Sequence, residues 1–150
     1  MELIATIIIT AASLLLFGYW FRYTCMLILS AKTTRDYASE VAAFNELGFN
    51  QVQSQLSSVV TGTADLDRLR TALDRDYVVL NQLLEQTKHM GMEDASVEQY
   101  MLRVHYKVSR VYFQLSKQLS QSASRHALEE MSSVIAHFAN VIGERALTAA

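Results

Sequence analysis

The sequence predicts an all-α protein: an N-terminal single-pass transmembrane helix continuing into a stalk, followed by an antiparallel three- to four-helix bundle. Three features of the chain point to it. Its 150 residues contain no proline and only five glycines, where average usage of ~5% proline would supply roughly seven or eight; sandwiches, barrels and Pro-rich linkers are disfavoured. Residues 3–21, LIATIIITAASLLLFGYWF, run without a charge. Beyond residue 63, apolar side chains recur at steps of three and four, the period of helices that bury one face.

The uncharged run spans ~28 Å at 1.5 Å per residue, which matches the hydrocarbon core of a bilayer. A cleaved signal peptide would have a basic start and a small-residue cleavage site, whereas Glu2 stands at the start and no A-x-A pattern follows closely. An uncleaved anchor is expected. Tyr19, Trp20 and Tyr23 cluster with Arg22 at one end of the run, as interfacial aromatics and a snorkelling cation do. Burying Arg22 at depth would cost ~2.5 kcal/mol or more, so its expected place is the membrane surface. Arg22, Lys32 and Arg35 follow the run and no basic side chain precedes it. The positive-inside rule therefore puts the body on the cytoplasmic side of a cell membrane.

Three regions follow: residues 1–31 as anchor and interface, 32–62 as a helical stalk, and 63–150 as a soluble helical bundle. In the stalk, Tyr37, Val41 and Phe44 share a stripe up to Gly48, and Val52, Leu56 and Val59 resume it before Thr61-Gly62-Thr63. The next helix opens at Asp65 or Asp67, whose carboxylates suit a helix N-terminus. It carries Leu66, Leu69, Leu73, Tyr77, Leu80 and Leu84, and Gly91 closes it. Ser96 with Gln99 fits a capping box and opens a helix whose main stripe is Val97, Met101, Val104, Val108, Val111, Leu115 and Leu119. Ser122 or Ser124 marks a break or bend. Leu128, Met131, Ile135, Phe138 and Ile142 form the last stripe, ended by Gly143 and the small tail. Connections near 61–64, 91–95 and 120–124 are short enough for an up-and-down bundle; fusion of the last two helices into one long array is the alternative.

Chemistry is sparse. Thirteen Lys and Arg against fifteen Asp and Glu give a net charge of -2, the wrong balance for binding nucleic acid through its phosphates. The single thiol, Cys25, can close no intrachain disulfide and make no Cys-based zinc site. It could be S-acylated near the membrane surface, or be simply a small apolar side chain. His126, Glu130, Ser133 and His137 fall within about 60° of arc on the last helix, where imidazoles and a carboxylate could hold a metal. That arc lies opposite the apolar stripe, so these residues are expected to face water and to bind none. A Glu-x-x-His pair, a CxxCH motif and a histidine within the apolar run are all missing from the sequence. His89, Met90 and Met92 read as a helix end with polarizable gap-fillers. Phosphate loops, dinucleotide fingerprints and hydrolase elbows are missing too. No cofactor and no catalytic residue is expected.

One surface stands out. Opposite the main stripe of the helix after Ser96, Leu102, Tyr106 and Phe113 lie within about 40° of arc, bordered by Arg103, Arg110 and Lys117. This helix is either the middle of the bundle, its bases paired to the acids of the helix before it, or a docking face with aromatic anchors for a protein partner. A basic edge lying on anionic headgroups, worth ~1 kcal/mol per cation, is a third option. The expected function is non-enzymatic: a membrane-anchored helical bundle acting as scaffold or accessory subunit of a membrane complex. Its partners would be the lipid bilayer and a protein or a second copy, with no nucleic acid. A tethered metal or cofactor carrier using His126, Glu130 and His137, with His105, is the runner-up. A pilin-like filament subunit is a further alternative, disfavoured because no leader precedes the apolar run and the head lacks strand patterns.

Overall fold

The computed structural model describes residues 1–30, 36–58, 63–89 and 97–149. These residues form six helices: α1 (Glu2–Ser30), α2 (Ala38–Phe44), α3 (Phe49–Ser57), α4 (Thr63–His89), α5 (Val97–Ser116) and α6 (Gln121–Ala149). No strand occurs among them. The chain divides into two compact units, residues 1–32 and 33–150.

The first unit is α1, long and apolar enough to cross a membrane, with a mean hydropathy of 2.0 over its most apolar stretch and none of that stretch buried. Leu3, Ile7, Leu14, Leu15 and Phe17 are all exposed, far more contiguous apolar surface than a soluble protein shows. The three threonine hydroxyls of this helix bond to its own backbone. Thr6 donates to the Glu2 carbonyl at 2.8 Å, Thr10 to Thr6 at 2.7 Å and Thr24 to Trp20 at 2.9 Å, the back-bonding to residue i−4 that threonine makes within helices. The helix continues unbroken past Arg22 to Ser30.

The second unit is a four-layer up-and-down bundle in which α2 and α3 together make one broken layer. Pairings fix the directions. Asp67, Asp74 and Glu85 of α4 meet Lys117, just after α5, and Arg110 and Arg103 of α5 in reverse order, so these helices are antiparallel. Ser116 meets Ser124, and Ser109 meets Glu130, which makes α5 and α6 a hairpin. The two helices are separate: α5 ends at Ser116, and a tight turn with the Ser120 amide on the Ser116 carbonyl at 2.7 Å leads into α6. The break thus falls just before the serines expected to mark it.

Helix α6 is the centre, packing against α5, α4, α2 and α3. Its stripe of Leu128, Met131, Ile135, Phe138 and Ile142 is buried as expected, and Ala127, Val134 and Ala139 widen it to about 140° of arc, beyond the ~100° of an ordinary amphipathic helix. Leu66, Leu69, Leu73, Leu80 and Leu84 of α4 are buried against it. Gly143 does not end α6, which runs to Ala149. A Cβ there would stand 2.3 Å from Tyr37 Cβ and 3.3 Å from Val41 Cγ2, so the glycine is what lets α2 lie against α6.

Residues 36–58 are not a separate stalk, because they pack on the bundle and are capped by it. Helices of seven and nine residues are too short to persist alone, and the N-cap residues Tyr37 and Gly48 make no side-chain cap of their own, although Asp36 accepts the Ala38 amide at 3.0 Å. Asn140 of α6 accepts the Tyr37 and Ala38 amides, both at 2.8 Å. Asp76 of α4, fully buried, accepts the Gly48 amide at 2.8 Å and that of Phe49. Arg125 of α6 donates to the carbonyls of Leu56 and Ser58 at the far end. Val41, Phe49, Val52 and Leu56 are buried, while Phe44 is 90% exposed and off the expected stripe. Helix α2 stops there because Glu46 turns left-handed, at φ 53°, and the Leu47 amide folds back to the Ala42 carbonyl at 2.9 Å, a Schellman closure with glutamate where glycine is usual. Val59, Gly62, Met90, Gly91, Met92 and Ser96 lie outside the described residues.

Candidate functional site

Helix α5 has two apolar faces, and the structure buries the one expected to dock. Leu102, Tyr106 and Phe113 are in the core at 0%, 1% and 0% exposure. They are therefore not anchors for a partner. Gln99, His105, Ser109 and Ser116 share the buried side, where Ser109 reaches Glu130 at 3.5 Å and Ser116 meets Ser124 at 3.3 Å. Most of the main stripe points outward instead, with Tyr100 and Tyr112 beside it, while Met101 and Val104 are half-buried. Val97, Tyr100, Val108, Val111, Tyr112, Leu115 and Leu119 are 52% to 86% exposed.

The helix turns this way because its large rings and its bases both have partners on α4. Tyr106 stacks on Tyr77, with ring centroids 4.0 Å apart and planes 1° from parallel, and its hydroxyl donates to Asp74 at 3.0 Å. Burial and the Asp74 carboxylate hold that phenol protonated, above its ordinary range. Arg110 meets the same carboxylate at 3.1 Å, Arg103 meets Glu85 at 3.4 Å, and Lys117 pairs with Asp67. Exposed ion pairs add only ~0.2–1 kcal/mol each; their effect here is to set the rotation of α5. The bases thus pair with the acids of the preceding helix, as one expectation had it, although the middle helix is α6.

The outward arc is about 120° wide and without a charge, running from Tyr100 through Val111, Val104, Val97, Leu115 and Val108 to Tyr112. Its exposed area is roughly 800 Å², the size one partner brings to a standard protein–protein interface. It is more apolar than the side of α5 that faces the core.

The three histidine and carboxylate candidates do not converge. His126 is exposed and sits 3.4 Å from Glu129. Glu130 turns inward to His105, 3.5 Å from its Nε2. His137 packs against the Phe138 ring, and burial pulls its pKa below the ordinary value, against the pull of Glu98. Among the described residues no three His, Cys, Asp or Glu side chains are placed to hold one metal ion. Tyr19, Trp20, Arg22 and Tyr23 are all exposed near the middle of α1, with Trp20 in contact with the Phe17 ring at 6.5 Å; Cys25 is buried.

Sequence reasoning missed which face of α5 is outward, though a signal was present: Arg103, Arg110 and Lys117 are spaced by seven, as are Asp67 and Asp74 on α4, so matching those rows turns Leu102, Tyr106 and Phe113 inward. No protein-family model, curated protein or solved structure matches the chain.

Proposed function

We propose that this protein is a non-enzymatic, single-pass membrane-anchored helical bundle that works as a scaffold or accessory subunit of a membrane complex, binding a protein through the outward face of α5. The observation that carries the reading is that face: six large apolar side chains more than half exposed on a helix whose other side is already packed, with Leu119 just beyond its end. Surfaces of this kind mark interaction sites. The anchor is supported by α1, which is long and apolar enough to cross a membrane and whose most apolar stretch is wholly unburied. Arg22, Lys32 and Arg35 after the apolar run favour a cytoplasmic bundle at a cell membrane. A non-enzymatic role is favoured because the polar side chains that meet in the bundle tie helices together: Asp74, Asp76, Asn140 and Arg125 each close a contact between elements.

The test is a photo-crosslinking residue placed at Val97, Val108 or Leu115 of the full chain in its native membrane, with exposed Thr71 on α4 as the reference position. Protein adducts at the three stripe positions and none at Thr71 are expected. Equal yields at all four, or none, would remove the contact face from the account.

A further inference from the structure

We propose that the partner on this face is a second copy of the same chain, with α5 packed in parallel against α5 of the partner; this rests on the contact reading above and names its occupant. Val97, Met101, Val104, Val108, Val111 and Leu115 follow one another at steps of four, three, four, three and four, the 3.5-residue repeat of a coiled-coil seam. Val97, Val104 and Val111 stand at d positions, and Met101, Val108 and Leu115 at a. All six are apolar. A ridge of this kind complements itself about a two-fold axis, as a dimer of identical chains requires.

Size and composition agree. The stripe exposes roughly 800 Å² on each copy, the ceiling on what a dimer could bury there and comparable with one partner's share of a standard interface. Its near-wholly apolar character resembles homodimer interfaces, whereas transient contacts between different proteins are about as polar as the rest of the surface. Two anchored copies also share a membrane plane, which raises their effective concentration. A lipid surface is the poorer occupant, because three of the four basic residues on and just after this helix, Arg103, Arg110 and Lys117, pair with Glu85, Asp74 and Asp67, which leaves Lys107 as the cation beside the face.

Charge selects the direction. Lys107 borders the seam at a g position. An antiparallel pair that keeps every layer apolar, with Val104 against Val108 of the partner, sets Lys107 beside its own copy, and like charges so placed repel. A parallel pair separates the two lysines and brings each beside Tyr112 of the other chain, where a cation over an aromatic ring is favourable.

The experiment uses the full chain in its native membrane, with Cys25→Ala removing the native thiol and a single Val108→Cys or Thr71→Cys added. Mild oxidation is expected to give a disulfide-linked dimer for Val108→Cys and only monomer for Thr71→Cys. With Leu115→Cys as the reporter, adding Val108→Glu should reduce the crosslinked fraction about tenfold while far-UV circular dichroism stays unchanged. A dimer formed only between mixed Val104→Cys and Val108→Cys chains would overturn the parallel arrangement. Monomer at every stripe position, together with photo-adducts to a different protein or to lipid at Val108, would overturn the second-copy proposal and, for the protein adduct, leave the contact reading standing. Monomer without any adduct would overturn both.

Discussion

Replacing Gly143 by alanine sets two physical effects against each other. Helix propensity alone favours the change by about 1 kcal/mol, since Gly143 lies within α6 and alanine is the better helix former. Packing opposes it. The added methyl would stand 2.3 Å from Tyr37 Cβ and 3.0 Å from Tyr37 Cγ, both at the root of the side chain, where rotation gives no escape. Helix α2 must therefore shift as a body, which lengthens the two 2.8 Å bonds from Tyr37 and Ala38 to Asn140 and loosens buried Ala38, Val41 and Ala42. Overpacking of this kind costs ~1–3 kcal/mol, and weakening the cap adds ~1 kcal/mol. A net loss of roughly 1–3 kcal/mol is expected. Urea unfolding of the full chain in detergent, followed by circular dichroism, reads it as a lower midpoint, and hydrogen exchange should speed up over residues 38–44. Adding Tyr37→Gly should recover part of the loss, since the two sites are in contact. Gly18→Ala is the control, because nothing lies within 4 Å of its added methyl and no loss is expected. A Gly143→Ala variant as stable as the parent, or more so, would refute the close approach of α2 and α6.

Glu46→Gly should raise stability by ~1 kcal/mol, because glutamate pays for a left-handed φ of 53° that glycine adopts freely; the same urea midpoint reads it, and a lower midpoint would contradict the Schellman closure. Tyr106→Phe keeps the stack on Tyr77 and removes the bond to Asp74, so a loss of ~1–2 kcal/mol is expected, and an unchanged midpoint would argue against that contact. His137 has its folded pKa below the unfolded value, so the unfolded chain takes up the proton first. Its contribution to stability is present above pH ~6.5 and is lost as pH falls through the folded value. His137→Gln should flatten the decline of the urea midpoint between about pH 7 and 5, and an equal slope in both proteins would contradict the burial of this ring. Asp76 acts with the opposite sign: burial raises its pKa, so its protonated form is favoured in the fold, and its contribution weakens as pH rises through that value.

How far the sequence could be read depends on whether a helix has one apolar side or two. The leucines of α4 from Leu66 to Leu84 and the stripe of α6 from Leu128 to Ile142 are one-sided, and the structure buries them as the periodicity expects. Helix α5 is apolar on two arcs, and period alone cannot say which faces in. What decides is outside the helix: Tyr77 and Asp74 receive Tyr106, and Ser124 and Glu130 receive Ser116 and Ser109. Small serines let α6 approach on that side, so the more apolar arc is left outward. The expected stalk went astray for a related reason. Its short helices are held by Asp76, Asn140 and Arg125, which lie 28 to 103 residues away from the groups they cap, and no local pattern records such partners. Gly143 had a local meaning, as a helix terminator, and a non-local one, as the seat of Tyr37; the second prevails.

A docking role for α5 requires its outward arc to be covered in the native membrane. Thiol labelling decides this directly, with single cysteines at Val97, Val108, Leu115 and, as reference, Thr71, in a Cys25→Ala background. The labelling rates are compared in intact membranes and after solubilisation in a dissociating detergent. The stripe cysteines should be protected in the membrane and released by detergent, with Thr71→Cys reactive throughout. Equal, rapid labelling of all four positions in intact membranes would mean that nothing docks there.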